Sequence, residues 1–484
     1  MSQAPWERIF FVCQNHREGG RAACADRGSE QVLKLLKGEL KKHPELKSKV
    51  RVTSSGCLDH CDDGPIIAVY PEGTLYAGVK PSDCGQIFAE HVVAGRPVAK
   101  LLLGASQTVL PSSDDASKRA AMTEPQARRT PLYEAQKRRG GRMVEFAGWD
   151  MPVQFTGLID EHMAVRTGVG LFDVSHMGEV RISGADALAC VQKLVTQDIS
   201  KLQAGDAVYC VMCHPSGGIV DDLIVYREAG DSVFLVINAG GIAKDVAHIR
   251  QVASAFKQAT VDDLSDQYAL IAVQGPKSDD VLARLLERSP DKRFSFVDTT
   301  TKDGLAVRVA RTGYTGERGV EIFVAPAQAE ALFEAILKAG EPSGLKLCGL
   351  GARDSLRLEK KMPLYGSDID DDTSPLEAGL GWVVKLDKGD FVGRSVLERQ
   401  KHEGVKRAWV GFKMLDHTIP RHEYAVLVEG REVAKVTSGT MSPVLKVGIG
   451  CAYLPAADAK VGRRIQVVVR GEPHDAEVVK TPFV

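Results

Sequence analysis

The chain lacks any long apolar run, and its net charge is close to zero. None of its 484 residues belongs to a run of the ~18 apolar positions that a membrane-spanning helix needs. Lysine and arginine number 62 against 63 aspartate and glutamate, a net charge of −1. This balance predicts no general attraction to nucleic acid or anionic membranes. Because the first residues also lack a basic segment followed by an apolar one, we expect no secretory signal and a cytoplasmic location.

Cysteine is scarce, with 10 residues, and it is unevenly spread. Half of the cysteines precede residue 85: Cys13, Cys24, Cys57, Cys61 and Cys84. In a reducing compartment such a cluster indicates metal binding or catalysis rather than disulfides. The N-terminal segment is therefore expected to be chemically distinct from the rest of the chain.

Composition divides the chain at 105–128, where small and polar residues without hydrophobic periodicity predict a flexible linker. Before it, 1–104 predicts the order β-α-β-β-β-α, with strands at 9–12, 50–53, 66–70 and 74–79 and a closing helix at 83–93. The first helix is expected to begin at Ser29 as its N-cap, with an apolar face at helical spacing comprising Val32, Leu33, Leu36 and Leu40. This order is typical of a small thioredoxin-like fold.

After the linker, helices and strands alternate over 129–400. Strands predominate over 401–484, which predicts a C-terminal barrel or sandwich. The predicted fold class of the whole chain is α+β.

Four of the early cysteines have a spacing that suits an iron–sulfur cluster. Ten residues separate Cys13 from Cys24, and three separate Cys57 from Cys61. A two-iron cluster needs four ligands, which are usually thiolates, whereas zinc favours closer pairs at both ends. The alternative is four buried cysteines without metal.

The flanking residues resemble the bacterial thioredoxin-like [2Fe-2S] ferredoxins. The similar segments are Phe11–Gln14, Cys24–Ser29, Gly56-Cys57, Gly64-Pro65, Val69–Gly73 and Gly78–Pro81. The resemblance implies a [2Fe-2S] cluster held by Cys13, Cys24, Cys57 and Cys61. Cys84 lies outside the pattern and is expected to be a core or surface thiol.

In the longer region, two adjacent carboxylates enter an apolar strand after the turn at 215–218. Side chains alternate faces along a strand, so Asp221 and Asp222 are not expected to line the same cavity. We expect at most one to be catalytic, with a raised pKa suited to proton handling, and the other to be solvated or to cap the turn. The alternative is that both belong to a solvated loop.

Three other motifs in this region are not expected to bind a cofactor or a metal. Gly349 and Gly351 begin a helix, but Asp354 stands at the third glycine position of a dinucleotide fingerprint, so we exclude NAD. The Cys210–Cys213 pair lies in predicted strand sequence without a second pair, and we expect no metal there. We expect His176 to be a structural histidine with satisfied hydrogen bonds.

Residues 130–484 resemble the aminomethyltransferases, the T-proteins of the glycine cleavage system. The similar segments run in order along the chain: Thr130–Tyr133, Phe146–Pro152, Met163–Arg166, Gly170–Gly178, Gly217–Asp222, Val236–Ala239, Gln274–Pro276, Arg311–Glu317, Gly351–Asp354, Leu364–Gly366 and Thr437–Gly439. The resemblance implies a three-subdomain cloverleaf ending in a β-barrel, around a channel for tetrahydrofolate.

The resemblance also implies a reaction and the residues that carry it. A lipoylated H-protein would present an aminomethyl group, and its carbon would pass to tetrahydrofolate to give 5,10-methylenetetrahydrofolate, ammonia and dihydrolipoyl H-protein. Asp222 matches the catalytic aspartate, Glu321 the pterin-contacting glutamate and Arg353 the folate-binding arginine. Further channel positions are Tyr209, Asn238, Tyr314 and Met177.

Two other functions stay open at this point. One is a folate-dependent demethylase of a small amine or sulfur compound, although no flavin or nicotinamide motif is present. The other is a non-catalytic folate-binding protein of iron–sulfur assembly. The ferredoxin segment would serve electron transfer or redox sensing, and its partner would be another glycine cleavage component or a separate redox protein.

Overall fold

The computed structural model describes residues 8–15, 23–46, 49–55, 64–70, 74–94, 96–102 and 127–484. The chain divides into two compact units, Met1–Thr123 and Glu124–Val484. Within the described ranges, no helix is both long and apolar enough to cross a membrane.

The described part of the first unit is a four-stranded sheet with helices. Its elements are β1 (Arg8–Cys13), α1 (Ser29–Lys41), β2 (Val50–Ser55), β3 (Ile67–Tyr70), β4 (Thr74–Tyr76) and α2 (Cys84–Ile87), which continues as a π-helix over Phe88–Val93. The strand order is β2-β1-β3-β4; β1 and β2 are parallel, and the other pairs are antiparallel. The predicted order of strands and helices is confirmed among these residues.

One detail of the first unit, the start of α1, differs from expectation. Gly28, with φ 89°, is the N-cap of α1 instead of Ser29. The Ser29 side chain is buried, and its hydroxyl has no hydrogen-bond partner among the described residues. Glycine accepts the left-handed backbone that this tight entry requires, so Ser29 is drawn into the helix. Of the two expected positions for Cys84, the structure shows the core: this thiol packs with Val32, Leu36 and Ile87.

The second unit contains most of the secondary structure. Its helices are α3 (Tyr133–Arg138), α4 (Leu158–Thr167), α5 (Ala187–Leu194), α6 (Ile242–Ala253), α7 (Ser278–Leu285), α8 (Ala329–Gly340), α9 (Leu350–Glu359) and α10 (Arg394–Glu403). Its first strands are β5 (Arg128–Arg129), β6 (Arg142–Phe146), β7 (Trp149–Gln154), β8 (Gly170–Asp173), β9 (Gly178–Ser183), β10 (Ala207–Cys213), β11 (Ile219–Arg227), β12 (Ser232–Ile237) and β13 (Thr260–Asp263).

The later strands complete the sheets of this unit. They are β14 (Ala269–Gln274), β15 (Phe296–Thr300), β16 (Ala306–Ala310), β17 (Gly319–Val324), β18 (Lys346–Leu347), β19 (Arg407–Met414), β20 (Ala425–Val428), β21 (Arg431–Met441), β22 (Gly448–Pro455), β23 (Arg464–Val469) and β24 (Glu472–Val479). Within 127–484 they form sheets β5-β7-β6, β10-β11-β12-β9-β13 and β15-β16-β17-β14-β8-β18, and a closed barrel β19-β22-β21-β20-β23-β24. The α+β class and the C-terminal barrel are confirmed; a sandwich is excluded by the closure.

An aromatic core joins the five-stranded and six-stranded sheets. Phe323 of β17 contacts Tyr226 of β11 and Phe234 of β12, with ring centroids 5.9 Å and 5.6 Å apart. These rings pack with Phe172 and Leu356 in one buried cluster. Burial of such rings contributes several kcal/mol in total, of the order of 1.5–3 kcal/mol per large side chain. The contacts therefore fix β11 and β17 relative to each other.

Candidate active site

Asp222 lies on β11, four residues before the aromatic core at Tyr226. Its side chain is half-buried and accepts two hydrogen bonds. The Tyr209 hydroxyl of β10 donates to Oδ2 over 3.0 Å, and the Asn238 amide nitrogen, just past the end of β12, donates to Oδ1 over 2.9 Å. Three neighbouring segments thus hold one carboxylate.

The expectation that Asp221 is solvated or caps the turn is wrong. Asp221 is fully buried, and it accepts hydrogen bonds from both the backbone N–H and the side-chain amide of Asn238, each over 2.9 Å. As strand alternation predicts, the two carboxylates differ in exposure: Asp221 is buried and Asp222 is half-buried. They nevertheless share a hydrogen-bond partner, because Asn238 follows the end of β12 and contacts both.

The pKa of Asp222 is raised to about 7, first by burial and then by the adjacent charge of Asp221. The hydrogen bonds from Tyr209 and Asn238 oppose this rise without cancelling it. Burial and Asp222 itself raise the pKa of Tyr209 well above its usual range, so its hydroxyl stays a donor. A carboxyl with a pKa near 7 can take up and release a proton at neutral pH.

The predicted residues Glu321 and Arg353 meet at a second group of polar side chains. Glu321 on β17 accepts a hydrogen bond from the Thr312 hydroxyl, and burial raises its pKa. The half-buried guanidinium of Arg353, on α9, lies 4.7 Å from the centre of the Tyr314 ring. No carboxylate of 127–484 lies within 4.0 Å of this guanidinium. An arginine held in this way is available to bind an acceptor group on a ligand.

The expectation that His176 has satisfied hydrogen bonds is also wrong. Its side chain is 2% exposed, and its Nδ1 has no hydrogen-bond partner among the described residues. Burial and the nearby Arg353 lower its pKa to about 3, so the ring is neutral. The next residue, Met177, packs at the edge of the aromatic core. A buried polar atom without a partner beside a guanidinium without a carboxylate is unusual in a folded protein, and an acceptor and donor group on a ligand would satisfy both.

The chain offers three site residues that the sequence did not single out. Trp382 is 57% exposed and stacks on Tyr209, with ring centroids 5.7 Å apart. Thr312 orients Glu321, and Asp245 lies fully buried in the first turn of α6. A signal existed for Asp245, since an acid on the apolar face of a helix with Val246 and Ile249 is unusual.

In the first unit, two of the four predicted cluster ligands can be located. Cys13 ends β1 and Cys24 precedes α1; both are buried and pack together with Ile66. Cys57 and Cys61 lie outside the described residues. Within the described ranges, no group of three or more histidine, cysteine or acidic side chains could hold a metal ion. The iron–sulfur cluster therefore stays a prediction, with two of its four expected ligands in one buried group of residues.

Comparison with known proteins concerns mainly the second unit. Residues 132–388 match the family described as the GCVT N-terminal domain, and residues 407–484 match the glycine cleavage T-protein C-terminal barrel domain. The aminomethyltransferase of Bacillus velezensis is 47% identical over 74% of this chain and 98% of its own length. That of Bacillus subtilis is 46% identical over 74% and 99%.

Solved structures agree with these relatives. The glycine cleavage system aminomethyltransferase T of Bartonella henselae is 32% identical, covers 74% of this chain and 98% of its own, and has a TM-score of 0.70. A thioredoxin-like [2Fe-2S] ferredoxin of Aquifex aeolicus is 34% identical over 20% of this chain, with a TM-score of 0.20, which does not establish a shared fold. The expected resemblance of 130–484 is confirmed, and the chain belongs to the aminomethyltransferase family of the glycine cleavage system.

Proposed function

We propose that this enzyme transfers the aminomethyl carbon from a lipoylated H-protein to tetrahydrofolate. The products are 5,10-methylenetetrahydrofolate, ammonia and the dihydrolipoyl H-protein. The observation that carries the proposal is the Asp222 carboxyl, held by Tyr209 and Asn238 and with its pKa raised to about 7. The partner, the reaction and the residue roles follow from the resemblance to the family, and the contacts of Asp222 support its role.

The reaction needs a group that moves protons. Tetrahydrofolate, when bound, supplies two nitrogens that accept the carbon. Two N–H protons leave these nitrogens, and one proton each is gained by the departing amine and the departing sulfur, so the reaction balances without an oxidant. Asp222 can take a proton and return it at neutral pH, and its two hydrogen bonds fix the direction of its free lone pairs.

The other group of side chains suits recognition of the folate. Glu321, oriented by Thr312, can accept paired hydrogen bonds from an aminopterin edge. Arg353 has no carboxylate partner within 127–484, so its guanidinium can bind a substrate acceptor rather than an acid of the channel. Tyr314 supports Arg353 by stacking. Asn238 differs from the other predicted channel residues, because its amide is engaged by Asp221 and Asp222; we assign it a positioning role.

The test is transfer from aminomethylated H-protein, with ammonia and methylenetetrahydrofolate both measured. Asp222→Asn should lower kcat by about 10²–10⁴-fold while folate binding persists. Asp262→Asn, at an exposed position on β13, is the matched control and should stay active. Near-normal turnover by Asp222→Asn with folate bound would refute the assignment. Turnover of a small methylated amine or sulfur compound without H-protein would support the demethylase alternative instead. Folate binding without either turnover would support the non-catalytic assembly protein.

We also propose that residues 1–104 form a [2Fe-2S] module, joined by a linker at 105–128 to the transferase, whose core spans 129–400 and whose barrel spans 401–484. Cys13, Cys24, Cys57 and Cys61 would hold the cluster, which supplies one-electron transfer when bound. The support is the cysteine spacing together with the burial of Cys13 and Cys24 in one group with Ile66.

Anaerobically purified protein should contain about two iron and two sulfide per chain if this cluster forms. Cys13→Ser should lose or perturb its absorbance, whereas Cys84→Ser, in the core of the same unit, should retain it. Colourless, iron-free protein would refute the module. Repeating the transfer assay with residues 1–120 deleted then asks whether the module affects the transferase.

A further inference from the structure

The buried acid Asp245 lacks a donor that could stabilise its charge. It lies on the buried face of α6 and is fully shielded from solvent. Neither carboxyl oxygen accepts a hydrogen bond from an N–H or O–H donor among the described residues. The ammonium of Lys244 is 3.9 Å from Oδ1, but it donates to the carbonyl of Val220 and to Tyr365. An ionised carboxylate in such a place is costly, so Asp245 keeps its proton.

The neighbour that can accept this proton is Asp221. The Asp221 carboxyl interacts with Asp245 as a side-chain hydrogen-bond partner, and burial followed by the charge of Asp221 raises the pKa of Asp245 to about 10. Asp221 already accepts two N–H bonds from Asn238. Because Asp221 has these donors and Asp245 has none, the shared negative charge resides on Asp221.

Two local features keep this arrangement close to the site. A Cβ at Gly241 would lie 2.6 Å from Asp245 Oδ2, so glycine leaves room for the acid. The Asn238 amide nitrogen lies 2.9 Å from Asp221 Oδ1 and 2.9 Å from Asp222 Oδ1. The Asn238 amide therefore connects the charged Asp221 to Asp222, the carboxyl that the proposed function makes catalytic.

We propose that Asp245 is a positioning residue: a protonated acid that donates to Asp221 and so keeps a negative charge fixed behind Asp222. The inference rests on the proposed function of Asp222. Through Asp245, α6 would help Asp222 to hold a proton at neutral pH.

The other titratable groups near Asp222 do not compete with this role. They are Tyr209 and Cys210 on β10 and Tyr314 on the loop before β17. Burial raises the pKa of each, so all three are neutral near pH 7. Lys244 faces Asp221 and Asp245 from α6. The charge on Asp221 is the remaining one that acts directly on Asp222.

The test titrates the Asp222 carboxyl in ligand-free, full-length protein. The infrared carboxyl band of Asp222 is obtained as the difference between each protein and the same protein carrying Asp222→Asn. Asp245→Leu removes the donor, so Asp221 takes up a proton more readily and its charge weakens. The Asp222 midpoint should then move to lower pH by about one unit or more. Asp245→Asn still donates to Asp221 and should keep the midpoint near that of the parent.

Each outcome decides the proposal. Asp221→Asn removes the charge itself and should shift the midpoint at least as far as Asp245→Leu; it serves as the test if the leucine variant does not fold. Midpoints that stay in place in Asp221→Asn or Asp245→Leu overturn the proposal, as does an equal shift in Asp245→Asn and Asp245→Leu. The acid limb of the transfer rate should move with the infrared midpoint. If the midpoints shift as expected in protein that transfers no aminomethyl group, the proposed function fails and the charge arrangement stands.

Discussion

Replacing Asp222 by asparagine should stabilise the folded protein more at pH 8 than at pH 5. The pKa of this carboxyl rises from 3.8 to about 7 on folding, because it is buried beside Asp221. Between these values the folded state binds a proton that the unfolded state has released, so the carboxyl lowers stability as pH rises. Each pH unit in this window changes the free energy of unfolding by about 1.4 kcal/mol, which gives about 2–3 kcal/mol between pH 5 and pH 8. Asparagine does not ionise and escapes this loss.

The substitution should leave the local hydrogen bonds intact. The new amide oxygen can face Asn238, and the new NH₂ can donate to the Tyr209 hydroxyl, which then acts as acceptor. For a unit of this size, 2–3 kcal/mol corresponds to about 3–4 °C in melting temperature. We therefore expect the melting temperature of Asp222→Asn, relative to the parent, to be about 3–4 °C more favourable at pH 8 than at pH 5. Asp262→Asn should show the same difference at both pH values. An equal difference for Asp222→Asn at both would refute the reasoning.

Two further predictions concern neighbouring elements. Arg357→Met should destabilise the second unit by about 3–5 kcal/mol, because Asp368 then remains as an uncompensated buried charge. Thermal unfolding measures this loss, with Arg399→Met at an exposed position as the control. A melting temperature that changes as little in Arg357→Met as in the control would contradict the prediction. Trp382, exposed and stacked on Tyr209, should supply most of the fluorescence change when tetrahydrofolate is titrated in. Trp382→Phe should therefore lose most of that change, while the buried-core variant Trp409→Phe should keep it. The reverse result would show that Trp382 does not lie at the binding site.

Local pattern was enough to predict most of the fold. The apolar spacing of α1 and the apolar strands of the first unit are properties of short segments, and they were predicted correctly. The N-cap was not, because Gly28 and Ser29 both suit a helix start and the left-handed backbone at Gly28 decided between them. The closure of the C-terminal strands into a barrel depends on pairing of β19 with both β22 and β24, a long-range contact that periodicity does not encode.

For the site, single motifs were enough to indicate individual residues but not their hydrogen-bond partners. Strand alternation correctly separated the exposure of Asp221 and Asp222, and motif resemblance indicated Glu321 and Arg353. The error on Asp221 arose because its partners come from elsewhere: Asn238 follows the next strand, and Asp245 lies on the helix after it. Likewise, His176 Nδ1 has no hydrogen-bond partner among the described residues because no side chain from another element reaches it. Partnership across elements, rather than residue type, determines the charge state of each group.

The two arginines of α9 illustrate this point most directly. Arg353 and Arg357 are four residues apart, so they project from the same side of the helix. Arg357 is buried and forms an ion pair with Asp368, and it also donates to Ser438 of the barrel strand β21 over 2.8 Å. Arg353, one turn earlier, has no carboxylate within 4.0 Å in 127–484 and stacks on Tyr314. The paired arginine attaches the helix to the barrel, and that attachment supports Arg353 in its position over the Tyr314 ring. We therefore expect the ligand-binding role that we propose for Arg353 to depend on the ion pair that Arg357 forms with Asp368.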